Sequence, residues 1–341
     1  VRISVSGPTQ FTYEFPAGGG SKPYLRLEAP PSLSLYWGYG YLYGYGYGYF
    51  GHAPDRYAII CGISDYKNME DLECAGNDAK SIYESLINLG WNPNKLTLLV
   101  DSQATKSKIK EAIESLSGKV DSNDIVLFYF AGHGGYLTDG DGDEEDGWDE
   151  VICPYDTELD ENHLPKPDTV ISDDELTSWL DVLPAEKIII LDSCFSGGFI
   201  RTEKVIIRTI PGLPYVTLKD GFSRDFLGKP NYVILTACAD DEFSTEFPAL
   251  GHGTFTYYLL YGVSLSLPAD TNYDGVVSVE ELFDYADDKT ADYVSVITEG
   301  MLVQTPQMYD YDPDVDLELG PLTPPYYGYG YFPQVGYGYG Y

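Results

Sequence analysis

Ile125–Ala131 reads Ile-Val-Leu-Phe-Tyr-Phe-Ala, an uninterrupted apolar run of strand length. A strand that is apolar on both faces must be covered on both, which is the situation of a central strand in a parallel sheet flanked by helices. Four further runs of similar length, at residues 56–63, 95–100, 187–191 and 232–237, repeat the signal. Between them apolar residues recur at helical spacing, as in Ala79, Ile82, Tyr83 and Leu86, and again in Ile109, Ala112, Ile113 and Leu116. Ser172 followed three residues later by Glu175 is the pattern of a capping box, opening a helix through Leu176, Trp179 and Leu180. Strands alternating with helices predict one α/β domain between Arg56 and about Leu319.

Charge narrows the partners. Fifty-four acidic residues against 20 basic ones give a formal net charge of −34, and such a surface gains nothing from counterion release, so nucleic acid and anionic membranes are poor partners and no nucleic-acid partner is expected. No apolar run approaches the roughly 18 residues of a spanning helix, so no transmembrane segment is expected. No basic stretch followed by an apolar one opens the chain. Its start at Val1 fits a fragment or a chain already stripped of a targeting segment, which favours a secreted or cell-surface location over the cytoplasm. The five cysteines show no close pair at metal-ligand spacing, and Cys61, Cys153 and Cys238 sit in or beside apolar runs as expected of buried thiols.

The chemistry gathers at strand ends, where open parallel sheets bind their ligands. Residues 125–131 run into Gly132-His133-Gly134-Gly135, and residues 187–191 into Asp192-Ser193-Cys194-Phe195-Ser196-Gly197-Gly198. A thiolate attacks carbonyl carbon and an imidazole can protonate the departing amine, while flanking glycines let backbone N–H groups approach an oxyanion. His252 also lies between glycines but follows a polar loop, so it is expected at a helix entry, and His133 is the candidate partner of Cys194.

Residues 129–134 and 192–197 resemble the histidine and cysteine boxes of caspase-like cysteine peptidases, in the metacaspase and orthocaspase branch. The likeness extends over roughly Arg56 to Leu319 through residues 76–79, 142–150, 171–176 and 304–307. The resemblance implies a caspase-like three-layer α/β sandwich with a mostly parallel central sheet, with Cys194 as nucleophile and His133 as general acid and base. Backbone N–H groups of Gly134 and Cys194 would form the oxyanion hole. Asp78 and Asp192 would line an acidic S1 pocket, implying a peptide or protein substrate with arginine or lysine at P1. A pocket serine of some relatives is Ala131 here. A calcium site of some metacaspases maps onto Asp149, Asp173 and Asp174, but its fourth aspartate falls at Arg201.

A second calcium pattern is read from spacing alone. Asp270, Asn272 and Asp274 occupy the first, third and fifth positions of an EF-hand-like loop, with Gly275 at the sharp turn. The Val276 carbonyl, Ser278 and Glu281 complete an oxygen set for Ca²⁺. Residues 197–230 exceed an ordinary loop and carry six basic residues, Arg201, Lys204, Arg208, Lys219, Arg224 and Lys229, a natural self-cleavage site for a protease of basic specificity.

The expected organisation is an N-terminal segment (1–51), a peptidase domain (52–320) and a tail (321–341). Residues 36–49 and 326–341 hold 14 of the 32 tyrosines, alternating largely with glycine. Paired as strands they would give a homo-oligomer or filament; unpaired they would stay disordered. Two rival functions stand beside the protease: a silent caspase-like scaffold that assembles through these segments, and a calcium-dependent binding module. The presence of both His133 and Cys194 favours the enzyme.

Overall fold

The computed structural model describes residues 2–5, 11–14, 54–140, 142, 147–194, 205–210, 229–313 and 315–321. Both tyrosine-rich tracts, and Arg201, Lys204, Lys219 and Arg224 of the basic loop, lie outside them. The chain divides into two compact units, Val1–Phe50 and Gly51–Tyr341. In the first, β1 (Arg2–Val5) and β2 (Phe11–Glu14) form an antiparallel hairpin.

The second unit runs β3 (Arg56–Gly62), α1 (Ala75–Asn88), β4 (Leu96–Val100), α2 (Lys106–Glu114) and β5 (Ile125–Ala131). Then come β6 (Gly134–Thr138), β7 (Trp148–Ile152), β8 (Ile171–Ser172), α3 (Asp173–Leu180) and β9 (Glu186–Asp192). It continues with β10 (Ile206–Ile207), β11 (Tyr232–Thr236), β12 (Thr245–Phe247), β13 (His252–Gly253) and α4 (Thr254–Gly262). Last are β14 (Val276–Ser278), α5 (Val279–Ile297), β15 (Gln307–Asp310) and β16 (Glu318–Pro321).

Six strands in the order β15-β11-β9-β5-β3-β4 make the main sheet, parallel except for β15 at one edge. All seven residues of β5 are buried, as an apolar strand between β3 and β9 requires. Burying each of Phe128 and Phe130 contributes about 1.5–3 kcal/mol. The mostly parallel sheet flanked by helices is the architecture expected from the sequence. Three smaller sheets were not foreseen: β6-β7-β8, β10-β12-β13 and β14-β16. Their strands are two to five residues long, too short to show a period.

Two helix starts differ from expectation. Helix α1 begins at Ala75, ahead of the periodic stretch, and its capping residue Cys74 offers no side-chain cap. Distant groups serve instead: Ser64 Oγ accepts the Gly76 N–H (2.9 Å), and the Glu246 carboxylate accepts those of Glu73 (2.6 Å) and Cys74 (3.2 Å). At α3 only half the capping box forms. Ser172 Oγ accepts the Glu175 N–H (3.2 Å), while the Glu175 carboxylate pairs with Lys106 (2.6 Å). The complete box lies at the start of α5, between Ser278 and Glu281.

Close packing of α1 on β3 depends on Gly62, where a Cβ would fall 2.3 Å from the Ala75 carbonyl oxygen and 2.5 Å from Ala79 Cβ. That contact sets the first turn of α1, with Asp78, at the carboxyl end of the sheet.

Candidate active site

Strands β5 and β9 pair in parallel with Ala131 opposite Asp192, so His133 and Cys194 each follow the same rung by two residues. Both are fully buried. Tyr66 fixes the histidine: its hydroxyl accepts the His133 N–H (2.8 Å) and donates to the Cys153 carbonyl (3.2 Å), and its ring lies 4.8 Å from the imidazole. A Cβ on Gly132 would meet that hydroxyl at 2.5 Å, so the approach requires glycine. Imidazole Nε2 faces the Glu70 carbonyl at 2.8 Å, and because a carbonyl only accepts, Nε2 carries the hydrogen in the neutral ring. Nδ1 makes no hydrogen bond among the described residues and is left for proton transfer.

Residues 205–210, of which Ile206–Ile207 form β10, lie against these two side chains. Ile206 and Ile207 pair antiparallel with Glu246 and Thr245 of β12. On the other side Thr209 bridges Gly134 in parallel fashion, and the Ile210 N–H donates to the Gly134 carbonyl (3.1 Å). The Arg208 N–H donates to the Ser244 carbonyl (3.0 Å), and the Arg208 carbonyl oxygen accepts from the backbone N–H groups of Gly134 (3.1 Å) and Cys194 (3.2 Å). These are the two donors named from sequence as an oxyanion hole, and they hold one carbonyl of this chain. Thr209, on the far side of that carbonyl, lies against both candidates, its hydroxyl beside the Cys194 thiol and its backbone beside the His133 ring.

The Arg208 side chain fills a closed pocket of three carboxylates, and all four groups are inaccessible to solvent. Its Nη2 pairs with Asp78 and with Glu246 (3.1 Å), and its Nη1 pairs with Asp192 (3.1 Å) and donates to the Asp192 carbonyl (3.1 Å). Asp78 and Asp192 were expected here; Glu246 was missed. It sits in a three-residue strand, and only its place opposite Ile206 in the register identifies it. Gly253 walls the pocket, since a Cβ there would stand 2.5 Å from Asp192 Oδ2 and 2.7 Å from Arg208 Cζ.

Helix α4 points its N-terminus at the same carboxylates. The Gly253 N–H donates to Asp78 (3.1 Å), and the Thr256 N–H (3.2 Å) and hydroxyl (2.6 Å) donate to Asp192. Ser244 Oγ donates to the other Asp192 oxygen (2.6 Å). His252 does enter a helix as expected, and its Nδ1 also lies 2.7 Å from Asp78, a contact the sequence did not reveal.

Burial opposes the guanidinium charge, but Asp192, Asp78 and Glu246 together outweigh it and hold Arg208 well above its ordinary pKa. Burial pushes the carboxyls of Asp78 and Glu246 upward, with Arg208 acting against the shift. The Cys194 thiol is pushed up to about 12 and the His133 imidazole down to about 4, both mainly by burial. The covered site therefore holds a neutral thiol and a neutral imidazole at pH 7.

The EF-hand-like loop is a separate, largely exposed feature. Its carboxylates accept backbone N–H groups of the loop itself: Asp270 from Asp274 (3.1 Å) and Gly275 (3.0 Å), Asp274 from Val276 (2.8 Å), and Glu281 from Thr271 (3.1 Å) and Asn272 (3.2 Å). Gly275 takes φ +86°, the left-handed geometry the sharp turn requires. The all-oxygen donor set fits Ca²⁺ chemistry, although no cluster of three or more His, Cys, Asp or Glu suited to a metal occurs among the described residues. Asp149 lies in β7, and Asp173 and Asp174 open α3 directly after β8, which pairs with β7. Arg201 lies outside the described residues. No helix among those residues is long and apolar enough to cross a membrane.

A family model for the caspase domain matches residues 55–312. Metacaspase-1A of Aspergillus clavatus is 32% identical over 202 residues, covering 56% of this chain and 44% of the relative. Metacaspase-4 of Arabidopsis thaliana is 31% identical over 156 residues, 43% of this chain and 35% of the relative. Metacaspase-1 of the same plant is 28% identical over 233 residues, 63% and 60% of the two chains. The chain thus spans between 35% and 60% of the length of these relatives. The crystal structure of protein GSU0716 from Geobacter sulfurreducens superposes with a TM-score of 0.54 at 21% identity, covering 79% of this chain and 99% of that one, and so shares the fold.

Proposed function

The chain belongs to the caspase-domain family, and we propose that it is a cysteine peptidase that cuts after arginine or lysine through Cys194 and His133, and that one of its substrates is its own Arg208–Thr209 bond. One observation carries this reading: the Arg208 guanidinium sits among Asp78, Asp192 and Glu246 while its carbonyl oxygen accepts from the Gly134 and Cys194 N–H groups. Side chain and carbonyl of one residue thereby occupy specificity pocket and oxyanion hole together.

The chemistry follows from those positions. Cys194 passes its thiol proton to His133 Nδ1 as its Sγ bonds to the carbonyl carbon of the basic residue, and the oxyanion is held by the two backbone donors. The C–N bond breaks, and the amine leaves with a proton from His133. Water, deprotonated by His133, then hydrolyses the thioester, releasing a carboxylate and restoring the thiol. Departure of residues 205–210 readmits water to the dyad and relieves the burial that keeps thiol and imidazole neutral. Arginine is favoured over lysine because a planar fork meets several carboxylates at once.

Calcium binding at the loop from Asp270 to Glu281 belongs to the same reading. Asp270, Asn272, Asp274, Ser278, Glu281 and the Val276 carbonyl would hold the ion, and the metal would stabilise the entry to α5. The site at Asp149, Asp173 and Asp174 would supply oxygen ligands from β7 and α3. Fluorogenic peptides ending in Arg, Lys or Asp, with and without calcium, test the function. Wild type is expected to release fluorophore after Arg and Lys, and Cys194→Ala and His133→Ala to release none. Preferred release after Asp, or full activity in either variant, contradicts it.

A further inference from the structure

The segment that delivers Arg208 also fills two apolar pockets. Ile207, fully buried, packs against Cys194 and Cys238 with Phe243 and Leu302 at the margin. Val205 packs against Phe247 and Val294, with Leu250, Tyr293 and again Leu302 around it. Side chains alternate along a strand, so residues two apart share a face, and these two lie at the second and fourth positions counting back from the carbonyl in the oxyanion hole.

None of these lining residues belongs to residues 205–210. Phe243 precedes β12, Phe247 ends it, Val294 lies on α5 and Leu302 follows α5. The pockets therefore belong to the body of the enzyme and outlast the departure of residues 205–210. The β12 pairing and the Ser244 carbonyl supply main-chain register to any extended peptide, and the pockets select its alternate side chains.

From this geometry we infer that the enzyme's external substrates are extended segments with aliphatic side chains at P2 and P4 ahead of a P1 arginine, the pattern Val-Ile-Ile-Arg of residues 205–208. The inference rests on the proposed cleavage after basic residues and adds two specificity subsites to it. A charged side chain at P2 would enter a pocket of two thiols, a phenyl ring and a leucine, an apolar lining that offers no compensation for its lost hydration.

The test is cleavage of a diverse peptide mixture by the wild-type chain, with Cys194→Ala as control, reading the residues before each cut by mass spectrometry. Matched coumarin substrates based on Val-Ile-Ile-Arg, with Asp at P2 or at P4, give the rates. The expected outcome is enrichment of Val, Ile and Leu at both positions. The expected loss of kcat/KM is about 10- to 100-fold for Asp at P2 and about tenfold at P4. Leu302→Ala, which enlarges both pockets, is expected to shift preference toward larger apolar side chains while Arg stays required at P1. Cuts after Arg with no bias at P2 or P4, or a Leu302→Ala profile identical to wild type, overturn the subsites and leave the basic specificity standing. Absence of cuts above the Cys194→Ala control overturns both.

Discussion

The molecule holds two acidic clusters of similar composition and opposite environment. Asp78, Asp192 and Glu246 are enclosed around Arg208, whereas Asp270, Asp274 and Glu281 line a loop open to solvent. In the loop, local backbone N–H groups pair with the carboxylates, which also face solvent. In the pocket the carboxylates are inaccessible to solvent, so a cation of the right shape is their compensating partner. Removing one partner of a buried ion pair typically costs about 3–5 kcal/mol, against at most about 1 kcal/mol for an exposed one. Burial, more than acid count, makes a group of carboxylates depend on an enclosed cation such as the Arg208 guanidinium.

Single substitutions at equivalent chemistry sharpen that contrast most. Asp192→Asn is expected to lower kcat/KM for arginine peptides by about 10²- to 10³-fold, since a buried charge partner is lost. Asp274→Asn in the open loop should leave the same rate within about twofold, the scale of an exposed charge. Equal losses in the two variants would break the comparison.

Gly253→Ala changes no charge. Gly253 has φ −60° and ψ 146°, a conformation alanine adopts freely, so the added Cβ acts by intruding on the Asp192 carboxylate and the guanidinium it holds. A loss of about 10²-fold in arginine cleavage is expected, as for other displacements of about 1 Å in a bound group. An unchanged rate would mean the pocket is not where P1 binds.

Acid should loosen the cover over the dyad. Burial lowers His133 from 6.5 to about 4, so the folded chain favours neutral imidazole and its contribution to stability is complete above pH 6.5. It is lost as pH falls from there toward 4, by a total on the order of 3 kcal/mol. Asp78 and Glu246, with carboxyls pushed upward, act in the opposite direction in the same range. The isolating measurement is therefore the difference in urea unfolding free energy between Cys194→Ala and Cys194→Ala combined with His133→Gln, followed from pH 7 to 4. A difference that does not change with pH would contradict the burial of His133.

The smallest effect belongs to the loop. Calcium should raise the melting temperature of metal-free protein by an amount set by free calcium relative to its Kd, and Glu281→Gln should remove most of the gain. Because Glu281 also completes the capping box with Ser278, the variant alone should lower stability by about 1 kcal/mol without calcium. No calcium-dependent rise in the wild type would leave the loop as a turn.

The central sheet was legible because a strand such as Ile125–Ala131, apolar on both faces, has few places to go. His133 and Cys194 were legible for a related reason: each follows such a strand by two residues, and parallel pairing brings the ends together. Glu246, Tyr66, the Glu70 carbonyl and His252 were not. Each reaches the site through a short strand or a loop whose position depends on long-range packing. The start of α1 was hidden likewise, since its cap comes from Glu246, 172 residues away along the chain. Arg208 was one of six basic residues in a long loop until its pocket identified it.

The most direct question is whether the candidate site treats its own chain as substrate. Intact-mass analysis of purified wild type and Cys194→Ala, each followed over time at pH 7, decides it. The expected result is a pair of fragments from the wild type, one ending at Arg208 and one beginning at Thr209, with Cys194→Ala remaining a single chain. A wild type that stays whole, or the same two fragments from Cys194→Ala, would contradict the claim.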